Sequence, residues 1–150
     1  AQFQAEFRGV AEYYKLAFNR HRLGQLKYVM ERSLTKTLAR KYRIKTAWGT
    51  DVLFSRALAQ RQGELLVKLK QWYTPAEALV MATSTNAELL AMSGKRNPYP
   101  GKLGVVEEGA LADLLLVDGN PLENLQLVAN PSKNFLVIMK DGKIYKNLVR

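Results

Sequence analysis

Ile44-Lys45-Thr46-Ala47-Trp48-Gly49-Thr50-Asp51 is the stretch on which the fold turns. Ile44 to Trp48 contains β-forming residues, and Gly49-Thr50-Asp51 ends the run abruptly, so a short strand is predicted there. Downstream, Leu58, Leu65, Leu66, Leu69 and Trp72 mark a helix over 57–72, although Gly63 weakens its centre. Thr74-Pro75-Ala76-Glu77 supplies a capping hydroxyl, a proline at the first helical position and a glutamate three residues on. Thr85-Asn86-Ala87-Glu88 repeats the spacing, which predicts two successive helices, about 75–84 and 87–92.

After Asn97-Pro98-Tyr99-Pro100-Gly101, a run rich in turn formers, the texture changes. Leu114 to Val117 reads as a strand stopped by Asp118-Gly119-Asn120-Pro121. Phe135 to Met139 reads as another, and Asp141-Gly142 is a two-residue hairpin turn into Lys143 to Tyr145. Upstream of Ile44, Leu23, Leu26, Met30, Leu34 and Leu38 share one helical face, opposite Arg22, Arg32, Lys36 and Arg40. A buried leucine stripe under a solvated basic face is expected. Phe3, Phe7, Val10, Tyr14 and Phe18 also recur at helical spacing.

The whole chain has 150 residues, one ordinary domain's worth, and 47% hydrophobic residues, enough for a core. It has no cysteine, which excludes disulfides, thiolate metal sites and cysteine nucleophiles. That absence favours a cytoplasmic setting. No apolar run approaches the roughly 20 residues of a membrane span, and Ala1 to Val10 lacks the layout of a signal peptide. Of the net charge of +10, residues 1–50 supply +8, with 11 Lys and Arg against 3 Glu. Such a cluster could attract nucleic acid, but few aromatics are interleaved on this face, so a nucleic-acid partner is not expected. His21, the single histidine, sits in Arg20-His21-Arg22, a setting that discourages a cation, and is expected to be a solvated surface residue.

In order and spacing, residues 44–146 resemble the amidohydrolase superfamily, in its imidazolonepropionase-like and prolidase-like branch. Ile44 to Asp51 resembles the last barrel strand. Thr74-Pro75-Ala76-Glu77-Ala78-Leu79, Ala82-Thr83 and Asn86-Ala87-Glu88-Leu89-Leu90 resemble the two helices after the barrel. Gly104 to Gly109, Ala112-Asp113-Leu114, Asp118 to Leu122 and Val137 to Lys143 resemble the small closing β domain. The resemblance implies an α/β fold: the C-terminal segment of a (β/α)8 TIM-like barrel over 1–98, followed by a small β-sandwich-type tail over 99–150. The basic helix before Ile44 would belong to the penultimate barrel unit.

The resemblance also implies a metal-dependent hydrolase of C–N bonds, in amides, cyclic amides or dipeptides. The family site combines a His-x-His pair, a bridging carboxylate, two further histidines and the aspartate ending the last strand. Only that aspartate has a counterpart here, Asp51, as metal ligand and proton shuttle. Read without the family, an Asp after Gly-Thr at a strand end could equally cap the next turn or helix. The family's cofactor is a divalent metal, zinc foremost. A catalytic metal needs about three protein ligands, so the isolated chain is expected to hold none and to be inactive. The expected partners are a second copy of the chain or a complementing N-terminal barrel segment. A remnant that oligomerises, or binds through its basic surface without catalysis, is the alternative.

Overall fold

A computed structural model describes residue 5, residues 20–52 and residues 54–149, with side-chain surroundings from residue 27 onward. The helical repeat of Phe3, Phe7, Val10, Tyr14 and Phe18 and the side chains of His21, Arg22, Leu23 and Leu26 lie outside that description. The chain divides into two compact units, Ala1–Ile44 and Lys45–Arg150. The change of texture expected near residue 98 lies inside the second unit.

The first unit carries one long helix, α1 (Arg20–Tyr42), with Arg40 and Lys41 in its last turn, where cations complement the helix dipole. Met30 is half-buried, but Leu34 and Leu38 are 37% and 39% exposed, so this part of the stripe is less covered than expected. The backbone leaves the helix through Arg43, which takes a positive φ of 53°. Ile44 N–H then bonds Ala39 C=O at 2.9 Å.

The strand predicted over Ile44 to Trp48 does not form; residues 44–52 are irregular. A strand is stable only beside a neighbour that takes its N–H and C=O groups. Here Ile44 turns back to the helix, and Trp48 finds both partners in one side chain, that of Asn86.

The helix predicted over 57–72 is broken into α2 (Arg56–Ala59), α3 (Gln62–Val67) and a 3-10 turn at Lys68–Gln71. Gly63 sits in α3 because a backbone presses on it. A Cβ there would lie 2.0 Å from the Val128 carbonyl oxygen. The capping box of α4 (Pro75–Val80) forms as predicted: Glu77 N–H bonds the Thr74 hydroxyl at 3.3 Å, and the Glu77 carboxylate accepts from Thr74 N–H at 2.8 Å.

The second capping box does not form. Thr85 is helical and caps nothing, because the chain passes from α4 through a π-helical turn at Met81–Thr85 into α5 (Asn86–Ala91) without a stop. Side-chain hydroxyls feed this turn: Thr83 donates to Leu79 C=O at 2.7 Å and Ser84 to Val80 C=O at 3.5 Å. Such i−4 back-bonding bends helices. Gly104, with φ of +73°, approaches so near that a Cβ would lie 2.7 Å from Thr83 C=O.

The tail is one antiparallel sheet in the order β1 (Leu114–Val117), β2 (Phe135–Lys140), β3 (Lys143–Asn147). The expected β-sandwich is thus a single three-stranded layer among the described residues. Asp141 and Gly142 take φ of 50° and 73°, the paired positive values of a type I′ hairpin. Asp141 N–H bonds the Asp113 carboxylate at 2.6 Å, and Gly142 N–H bonds Ala112 C=O at 3.1 Å, which ties the turn to the entry of β1. Between β1 and β2, Leu125–Ala129 forms a 3-10 turn and Pro131–Asn134 a short helix, α6. The core gathers Leu66, Val67, Leu69, Ala78, Met81, Leu125, Val128 and Phe135, with Trp48, Val117 and Ile138 packed against it.

Candidate functional site

Asp51 lies in the irregular segment in an exposed position, with φ of 49°. It does not cap a helix. The N-cap of α2 is Ser55, whose hydroxyl accepts from Leu58 N–H at 3.4 Å. What fixes the approach to Asp51 lies three residues earlier. Trp48 N–H donates to Asn86 Oδ1 at 2.9 Å, and Asn86 Nδ2 donates to Trp48 C=O, also at 2.9 Å. Lys45 and Glu88 form an ion pair beside this clasp. The Trp48 side chain packs on the core. Sequence reasoning named Asn86 in the second capping-box spacing and in the resemblance, but gave its side chain no role.

The described residues do not by themselves make the ligand set of a catalytic metal. Among the described residues no three of His, Cys, Asp or Glu come together. A catalytic divalent ion needs about three protein ligands and an open position, and Asp51 offers one carboxylate.

A cleft of about 290 Å³ lies against α5, lined by Ser84, Glu88, Asn97, Lys102, Leu103 and Val105 among others. Its two charged groups already have partners: Glu88 pairs with Lys45, and Lys102 with Glu107. Nothing in the sequence pointed to this cleft.

In the first unit, exposed cations line α1 at Lys27, Arg32, Arg40 and Lys41. Two tyrosines accompany them. Arg32 lies over the Tyr28 ring at 5.3 Å from its centroid, and Lys41 over that of Tyr42 at 5.4 Å. Tyr28 and Tyr42 are 43% and 61% exposed. Among the described residues no helix is long and apolar enough to cross a membrane.

The fold has amidohydrolase-like neighbours among solved structures. An amidohydrolase is 30% identical over 77% of this chain and 26% of its own, with a TM-score of 0.64. A prolidase complexed with N-methylphosphonate-L-proline is 28% identical over 75% of this chain and 26% of its own, with a TM-score of 0.61. An uncharacterised protein is 25% identical over 97% of this chain and 33% of its own, with a TM-score of 0.65. The chain thus spans about a quarter to a third of the length of the proteins it resembles in structure. Residues 1–84, more than half of the chain, match the family model of the type II intron maturase, and the chain belongs to that family. No curated protein matches. The family match covers the whole first unit, where the sequence had suggested a penultimate barrel unit, and runs on to the π-helical turn.

Proposed function

We propose that the Lys45–Arg150 unit is the C-terminal portion of a metal-dependent amidohydrolase of C–N bonds, with no hydrolytic competence of its own. The observation that carries this reading is the likeness to the amidohydrolase and the prolidase, at 30% and 28% identity. The quarter of those chains that is spanned explains the missing histidines. Asp51 is the one donor this portion would contribute to a divalent metal, zinc foremost. In this reading the remaining ligands are supplied by a segment that carries the other barrel strands. The prolidase neighbour, solved with an L-proline phosphonate, favours dipeptides among the candidate substrates. The test refolds the full chain with a prolidase truncated ahead of its last barrel strand. Stoichiometric zinc and dipeptide hydrolysis are expected, both lost with Asp51→Asn. Zinc uptake that survives Asp51→Asn, or no association at all, overturns the reading.

A second reading is favoured by the family match over residues 1–84. In it the first unit binds RNA through the basic face of α1, with Tyr28 and Tyr42 as stacking surfaces beside Arg32 and Lys41. Phosphate contacts release counterions, so such binding weakens steeply with salt. Affinity for a structured RNA that falls linearly on a log–log salt plot, and drops with Arg32→Gln, is the expected result. Retention that ignores salt overturns it.

A further inference from the structure

We infer that Asn86 is the positioning residue of the Gly49–Asp51 segment, its carboxamide standing where a neighbouring strand would stand. The inference extends the amidohydrolase reading by naming what holds Asp51's segment in place.

In a β-ladder the N–H and C=O of one residue point to the same side and meet one partner. Trp48 presents its two groups in this way, and the Asn86 carboxamide takes both at 2.9 Å. Only a carboxamide offers an acceptor and a donor side by side in a short side chain. Both residues are half-buried, so water competes poorly for these bonds.

The helix is shaped to aim this side chain. Asn86 is the first residue beyond the π-helical turn Met81–Thr85, which adds a residue to the helical repeat and rotates everything after it. Two side-chain hydroxyls hold the turn open from the α4 side, and Gly104 closes on Thr83 C=O. Asn86 Nδ2 also reaches Ala82 C=O at 3.5 Å, so the clasp is anchored to the turn that orients it. The Lys45–Glu88 pair is a second tether, but an exposed one. With Trp48 clasped and its indole on the core, only Gly49 and Thr50 separate the anchored backbone from Asp51.

The test uses the full chain labelled for NMR. Asn86→Ala is expected to speed exchange of the Trp48 amide at least tenfold and to shift the Asp51 Cα resonance away from its left-handed value. Amides of β1–β3 and of α4 keep their protection. Asn86→Asp retains the acceptor but not the donor, so it restores Trp48 protection in part and not the Asp51 shift. An unchanged Trp48 amide in Asn86→Ala overturns the inference. So does loss of protection throughout α4 and the sheet, which would make Asn86 a general stabiliser. A second variant, Glu88→Gln, removes the ion pair alone and leaves both signals in place; if it reproduces the Asn86→Ala pattern, the tether is the salt bridge. No metal enters these readouts, so failure of the amidohydrolase reading shows only in the refolding experiment.

Discussion

Gly63 illustrates how one residue can look like a flaw in sequence and be a requirement in space. Alanine is worth up to about 1 kcal/mol more than glycine inside a helix. Yet a Cβ at 63 meets backbone, the Val128 carbonyl at 2.0 Å and the Ala129 Cα at 3.2 Å, and neither can rotate aside. Overpacking of this kind costs about 1–3 kcal/mol, so Gly63→Ala should lower the thermal midpoint despite the better helix former. Thr74→Ala removes the cap that Glu77 N–H uses and should cost about 1 kcal/mol in a denaturant titration. At Arg61 and Glu64 the pair is exposed. A hydrogen bond from the Arg61 guanidinium, offset in part by desolvation, holds the Glu64 carboxyl below the usual carboxylate range, with help from the charges of Arg61 and Lys68. A depressed carboxylate contributes stability above its unfolded pKa of about 4.3 and loses it as pH falls through the folded value. An NMR titration of Glu64 should therefore have a low midpoint that moves back up in Arg61→Gln.

Elements that carry their own grammar were legible in the sequence, and elements that depend on neighbours were not. The Thr74 capping box, the Asp141-Gly142 hairpin and the strands at Leu114 and Phe135 are each encoded within a few consecutive residues. The Ile44–Trp48 segment has strand chemistry but no strand beside it among the described residues, so tertiary context overrode propensity. Thr85 has the same box spacing as Thr74, but the helix arriving through Thr83 and Ser84 leaves it no free N-terminus to cap. Of the candidate site, Asp51 was readable from its Gly-Thr-Asp ending. The clasp made by Asn86 was not, because its partner lies 38 positions away. The hairpin carries a prediction of its own. Asp113 holds the turn from outside, through Asp141 N–H at 2.6 Å. Asp113→Ala should cost about 1 kcal/mol and loosen amide protection at Asp141 and Gly142, with α4 unaffected.

Taken whole, the molecule has an unguarded margin. β2 is the central strand, so β1 and β3 both present an edge. Lys143 puts an exposed charge on β3, whereas β1 is Leu-Leu-Leu-Val, with Leu114, Leu115 and Leu116 exposed by 37%, 55% and 48%. Uncharged apolar edges recruit further strands. We expect a symmetric dimer joined along β1, the closed arrangement open to two identical edges. Light scattering behind size exclusion should give twice the 17.0 kDa chain mass at micromolar concentration and a single chain mass for Leu116→Lys. A wild-type monomer, or a dimer indifferent to that charge, refutes the pairing.

The seam between the two units has a practical side as well. Arg43 turns the backbone out of α1 with a positive φ, and Lys45 lies in the irregular run of residues 44–52, so two basic peptide bonds fall where regular structure ends. Proteases need about that: a cleavable side chain on backbone that can be drawn out into their groove. A brief trypsin digest at low enzyme ratio should nick here ahead of the cations inside α1. It would leave a trimmed product beginning at Ile44 or Thr46, readable by mass spectrometry as a shelf-life hazard and a ready-made boundary for shorter expression.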